Sequence, residues 1–144
     1  LYDPQKVKRV LGETKETTDS ASLTITTFAQ YIDVAQKIAD SWTSLGKRAI
    51  VKVVNAVPDD FEILLTAQEL PSDPDQYSFW HSTQTQSNKT GYVNVKIDKL
   101  LEDGRQELDQ EKRKKLYIDF QKRLVEDAPA LFLFYPKTYT LTRK

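Results

Sequence analysis

Two strand-like runs flank one amphipathic helical stripe within residues 23–54, and that order constrains the fold more than any other feature of the chain. Leu23-Thr24-Ile25-Thr26-Thr27 alternates apolar with β-branched polar residues, as a strand with one buried face does. The period then changes. Tyr31, Val34, Ala35, Ile38, Trp42 and Leu45 fall on one helical stripe, and Gly46 stands where a left-handed C-terminal cap belongs. Ala49-Ile50-Val51-Lys52-Val53-Val54 follows as a second β-branched run. Strand, helix, strand at this spacing is a βαβ unit with parallel pairing and a right-handed crossover, so the expected class is α/β with flanking helices.

The remaining segments supply those helices. Asp3 is a good N-cap before Pro4, and Val7, Val10 and Leu11 recur at helical spacing, which predicts a short helix over residues 4–11. Residues 12–22 read as a polar surface connection. The run FEILLTAQ, residues 61–68, is too short to settle its own period, and strand is the preferred reading. Val95, Ile97, Leu100 and Leu101 give a helical stripe over residues 94–107. A second helix is predicted from the N-cap Asp109 to Asp127, with Leu116, Phe120, Leu124 and Val125 inward and Pro129 ending it. Leu131-Phe132-Leu133-Phe134-Tyr135 is almost wholly apolar, the pattern of a central strand covered on both faces. Residues 138–142 then read as a further strand after a turn at Pro136.

Composition narrows the function. With 144 residues the chain is the size of one domain. It contains no Cys and only one His, His81, which leaves little room for thiolate metal sites, cysteine nucleophiles or Ser-His-Asp chemistry, so no metal and no cofactor is expected. With only four Gly, the chain contains no phosphate-cradling loop, nucleophile elbow or dinucleotide fingerprint. The formal charge is zero, with 21 basic and 21 acidic residues, and this argues against nucleic acid as a partner. Lys112-Arg113-Lys114-Lys115 lies in a stretch, residues 101–127, with seven basic and eight acidic residues, and reads as a solvated helix face. Glu102-Asp103 and Glu126-Asp127 also sit on predicted amphipathic helices beside basic neighbours, where catalysis is a poor reading. The chain points away from an enzyme. It starts at Leu1 and has no Met, which reads as a mature or excised piece of something longer.

One segment stands apart. Residues 69–91 (ELPSDPDQYSFWHSTQTQSNKTG) are long, polar and turn-rich, yet carry Tyr77, Phe79, Trp80 and His81. Rings among Asn, Gln, Ser and Asp side chains suit an amphipathic pocket for a polar ligand. On residue types alone, packing of the same rings onto the sheet explains the pattern equally well. Asn88-Lys89-Thr90 matches a glycosylation sequon, a three-residue pattern common by chance.

The Tyr-Asp-Pro-x-Lys opening, LPSDPDQYSFWHS, TGYVNVKIDKLLEDGR and DQEKRKKLYIDFQKRLVEDAPALFLFYP together resemble the C-terminal portion of family 5 extracellular solute-binding proteins, the receptors of oligopeptide, dipeptide and nickel ABC importers. The resemblance implies a bilobal receptor with a type II periplasmic-binding-protein-like fold. The chain would form a single α/β domain over 1–144, part of the C-terminal lobe, with the other lobe missing. It implies non-catalytic capture of a peptide or similar small polar ligand in an interlobe cleft and delivery to an ABC permease. The setting implied is extracytoplasmic, lipid-anchored at the cell surface or periplasmic, and the receptor a monomer. The segment around Asp73-Pro74 would lie at the cleft, making Glu69, Asp73, Tyr77, Trp80, His81, Asn88 and Tyr92 the ligand-binding candidates. Trp80 is expected at or near the cleft wall, because so polar a segment should not bury four aromatics well and the resemblance places the segment there. Peptide-binding members carry a pattern like Asp-Tyr-x-Asp-Pro, and here Leu70 occupies the first position with Glu69 beside it. An interaction or sensor module that reuses the fold is the alternative.

Overall fold

Alternation and helical spacing in residues 23–54 produce the expected unit. In the computed structural model, which describes residues 3, 5, 6, 9, 22–137 and 140–142, β1 (Leu23–Thr27) is the centre of a three-stranded sheet of order β2-β1-β3. β2 is Ala49–Val53 and β3 is Ile63–Leu65, and both pair parallel to β1, with Ile25 opposite Val51 on one side and Ile63 on the other. Helix α1 (Ile32–Ser44) packs on β1 and β2 through the small residues Ala35 and Ala39, one helical turn apart, which lets its backbone come close to Ile25. Gly46 has φ +84°, the left-handed conformation expected of it. The buried Thr27 hydroxyl donates to the Leu65 carbonyl at 2.9 Å, so its polar atom costs nothing unmatched between β1 and β3. The run at residues 61–68 is therefore a strand, shorter than its apolar stretch.

These elements belong to the first of two compact units, residues 1–69 and 70–144. The helix predicted over residues 4–11 falls mostly outside the described residues; Gln5, Lys6 and Arg9 are helical, and Asp3 accepts the Gln5 and Lys6 backbone N–H groups at 3.1 and 3.0 Å. Of the connection expected over residues 12–22, only residue 22 is described.

The second unit contains a single-turn helix, α2 (Tyr77–Trp80), and two longer ones, α3 (Val95–Gln106) and α4 (Gln110–Asp127). Asn94 caps α3 by accepting from the Lys96 and Ile97 N–H groups, and Asp109 caps α4 by accepting from Lys112 N–H. Their core comprises Trp80, Ile97, Leu101, Tyr117, Phe120 and Leu124. Gly104 of α3 is buried against the Tyr117 ring. Helix α4 ends at Ala128, whose φ of 49° puts a non-glycine residue in the left-handed region.

Three expectations are corrected here. Val95 and Val125 face outward, each one position off the stripe that Ile97, Leu101, Phe120 and Leu124 define. Residues 131–135 form no strand: they are 51–83% exposed, because a strand needs a neighbour to take its hydrogen bonds and no strand occurs among the described residues of this unit. Residues 140–142 are likewise not a strand, and 138 and 139 lie outside the described residues.

Candidate functional site

Segment 70–92 folds by short-range hydrogen bonding rather than by any period. The Asp73 carboxylate accepts the Asp75 N–H at 2.9 Å, and the Asp75 carboxylate accepts the Tyr77 N–H at 3.0 Å, two successive turns that lead into α2. One turn of helix then points Trp80 inward and stacks the Tyr77 ring on His81, with centroids 4.1 Å apart. Further on, the Ser87 hydroxyl donates to the Ser78 carbonyl. Asn88 donates to the Tyr92 carbonyl at 2.8 Å and accepts from the Thr90 hydroxyl at 2.9 Å, and Gly91, at φ +63°, turns the chain back.

Charged groups on α3 and α4 hold this segment. Arg113 reaches both Asp73 oxygens, at 2.6 and 3.0 Å, and Arg105 meets Asp75 at 3.1 Å with its guanidinium 4.5 Å from the Tyr77 ring centroid. His81 Nδ1 lies 2.8 Å from the Thr83 hydroxyl and accepts the Thr83 N–H at 3.2 Å. That arrangement leaves Nε2 to donate to Glu102 at 3.3 Å. Asp98 accepts from both the N–H and the hydroxyl of Ser82. Asp127 accepts from the Tyr92 hydroxyl and from Asn94.

The electrostatics follow from these partners. The Arg113 hydrogen bonds, and after them the Asp75 N–H, hold the Asp73 carboxyl below the usual carboxylate range, while Asp73 in turn raises Arg113. Burial first, and the bond to Asp127 second, push the Tyr92 phenol up to about 12. Burial also raises Tyr117.

The candidates therefore divide. Asp73, Tyr77, Trp80, His81, Asn88 and Tyr92 all belong to the second unit, whereas Glu69 is the last residue of the first and is exposed. Asp73 is exposed but bound to Arg113; Tyr77 and Tyr92 are half-buried. Trp80 is only 5% exposed, which corrects its expected position on a cleft wall: the segment's polar groups bond to each other and to α3 and α4, and this frees the indole to enter the core. His81 and Asn88 are as deeply buried. The Asn88 amide is engaged on both sides, so its sequon is closed to modification in this fold. Two open depressions, of about 350 and 190 Å³, are lined by Asp103, Gln106, Glu107 and Leu116 and by residues of the first unit, with none of the candidates among them.

Sequence reasoning missed Arg105, Arg113, Asp98, Glu102 and Asp127. Each pairs with a group 16 to 40 positions away, which leaves no local signal. Arg113 was also hidden inside a basic run whose other members face solvent. Among the described residues, no group of three or more His, Cys, Asp or Glu side chains is arranged to hold a metal ion. No described helix is long and apolar enough to cross a membrane.

No family model matches the chain. It is similar to the oligopeptide-binding protein AppA of Bacillus subtilis (strain 168), at 32% identity over 93 residues, 63% of this chain and 17% of that protein. Among solved structures, AppA from Bacillus subtilis in complex with a nonapeptide superposes with a TM-score of 0.77 at 24% identity, over 89% of this chain and 30% of that one. NikZ from Campylobacter jejuni in complex with Ni(L-His) gives 0.74 at 22%, covering 89% and 31%. The ABC transporter-associated periplasmic binding protein DppA from Helicobacter pylori in complex with peptide STSA gives 0.75 at 22%, covering 89% and 28%. The fold is thus the α/β, βαβ-containing fold of periplasmic-binding-protein-like chains, and this chain spans less than a third of each relative's length.

Proposed function

We propose that this chain is part of the C-terminal lobe of a longer, bilobal solute-binding receptor that captures a peptide or similar polar solute without chemistry and passes it to an ABC permease outside the cytoplasm. The observation that carries the reading is the 32% identity to an oligopeptide-binding protein, on a chain whose fold superposes on three receptors solved with small ligands. The exposed run 131–135, apolar on both faces, supports a place inside a larger molecule whose remaining strands cover it. In this reading the candidates of the second unit share the work: Tyr77 and Tyr92 face the solute, while Asp73, Trp80, His81 and Asn88 hold the segment that presents it.

The test is calorimetric titration of an equimolar pool of synthetic di- to nonapeptides into the full-length receptor and, separately, into this chain. A cleft divides its contacts between two lobes, so half of them cannot offset the entropy of holding the ligand. Binding by the receptor with weak or undetectable binding by the chain is the expected pair of results. Micromolar binding by the chain alone would place the site wholly within it and overturn the split-cleft reading. No solute retained by the full-length receptor, in titration or by mass spectrometry of the purified protein, would overturn solute capture itself.

A further inference from the structure

The guanidinium of Arg113 is engaged through all three of its nitrogens. Nε donates to the Gly104 carbonyl at 2.9 Å, Nη1 and Nη2 donate to the two Asp73 oxygens, and its central carbon lies 5.3 Å from the Tyr117 ring centroid. One side chain of α4 thus touches α3, a core aromatic and the turn at Asp73. From Asp73 the connections continue: Asp73 to the Asp75 N–H, Asp75 to the Tyr77 N–H and to Arg105, and Arg105 over the Tyr77 ring. A single surface ion pair contributes little. A bidentate pair whose arginine is also fixed at Nε sets a geometry as well as an attraction, and a lysine cannot reproduce it.

We infer that Arg113 is a positioning residue, which through Asp73 and Asp75 sets where the Tyr77 ring stands on the ligand-facing segment. The functional half of this inference rests on the reading of that segment proposed above; the structural half does not. The relay accounts for the two successive backbone N–H groups that Asp73 and Asp75 accept, and it leaves the core beneath, from Trp80 to Leu124, to be closed independently by apolar packing.

The experiment measures amide exchange by NMR in this chain for Arg113→Gln, Arg113→Lys and Asp73→Asn. The last keeps Arg113 against Tyr117 and Gly104, so it reports even where an Arg113 variant folds poorly. Expected is exchange about tenfold or more faster at the Asp75 and Tyr77 amides in all three, with the Leu124 amide within about twofold of the parent. Unchanged exchange at Asp75 and Tyr77, full recovery with lysine, or an equal rise at Leu124 would each overturn the relay, the last by showing general loosening. In a second arm, the full-length receptor carrying Asp73→Asn is titrated with the same peptide pool. Affinity about tenfold weaker at an unchanged melting temperature supports the positioning role, and unchanged affinity overturns it. A parent receptor that binds no peptide counts against the proposed function alone, and the exchange arm then decides the relay.

Discussion

In the first unit, Ile25, Ala35 and Ala39 close a core whose partners lie in the βαβ segment and the neighbouring strand β3, while in the second Trp80 closes the core from a stretch that has no period at all. Both outcomes bury apolar surface, but they are reached differently. β1 and α1 are held by backbone ladders and helical spacing, so their register is decided locally. Segment 70–92 is held by side chains: Asp73 and Asp75 on arginines, Ser82 on Asp98, His81 on Glu102, Tyr92 on Asp127. The difference teaches that a polar stretch can be as ordered as a strand when its donors and acceptors find each other, and that its aromatics are then released to the core.

Removing each core's central side chain is the strongest challenge to that comparison. Trp80→Ala should cost about 3–5 kcal/mol and Ile25→Ala about 2–5 kcal/mol. Hydrogen exchange resolved along the chain should assign the first loss to α3 and α4 and the second to the sheet and α1. A Trp80→Ala variant with a melting temperature close to the parent's would return the indole to the surface role first expected of it. Equal loss of protection in both units from either substitution would erase the distinction between them.

A smaller effect probes how tightly the second core is closed. A Cβ added at Gly104 would stand 3.1 Å from Tyr117 Cζ and 3.2 Å from its hydroxyl oxygen, so the ring must move by a few tenths of an ångström. Alanine is favoured over glycine inside a helix by roughly 0.8–1 kcal/mol, and overpacking costs about 1–3 kcal/mol, so Gly104→Ala should be destabilising by about 1 kcal/mol. Chemical denaturation measures it. A variant more stable than the parent would mean that the Tyr117 ring has room, and that Gly104 is not needed for the approach of α3 to α4.

How much of this was legible in the sequence follows the same division. The alternation at Leu23–Thr27, the stripe from Tyr31 to Leu45 and the glycine at 46 were enough for the βαβ unit, because each is a local consequence of backbone geometry. Asn94 and Asp109 were legible as helix boundaries for the same reason. Trp80 was misplaced because its burial depends on hydrogen bonds formed by other residues, none of which carries a sequence period. Residues 131–135 misled in the opposite way: the pattern describes a buried strand correctly as chemistry, but pairing is a property of neighbours, and the described part of the second unit supplies none. Arg113 was concealed by its own neighbours, since Lys112, Lys114 and Lys115 do face solvent.

The two caps sharpen the comparison from its regular side. Asn94 accepts two backbone N–H groups and Asp109 one, so Asn94→Ala and Asp109→Ala should each lower stability by about 1 kcal/mol, Asn94 the more because its amide also donates to Asp127. Melting curves of the two single variants test the order. A larger loss from Asp109→Ala would show that the Asn94 link to the end of α4 contributes nothing beyond the cap.

The smallest effect at neutral pH concerns Tyr92, whose phenol is raised from 10.0 to about 12, first by burial and then by its bond to Asp127. Below the unfolded value both states keep the proton, and the folded state has the full benefit of the neutral, hydrogen-bonded phenol. As pH rises from about 10 toward 12, the unfolded chain loses that proton while the folded chain retains it, so the unfolded state binds fewer protons and stability falls with pH. The benefit is gone once pH has passed through the folded value. Absorbance of the tyrosinate in the folded protein should therefore show a late-titrating phenol that disappears in Tyr92→Phe. In Asp127→Asn it should move down without reaching 10, because the charge is removed but the burial remains. A late phenol that persists unchanged in Tyr92→Phe would belong to the buried Tyr117 instead. It would also mean that the tie between segment 70–92 and the end of α4 is looser than the Asp127 hydrogen bonds indicate.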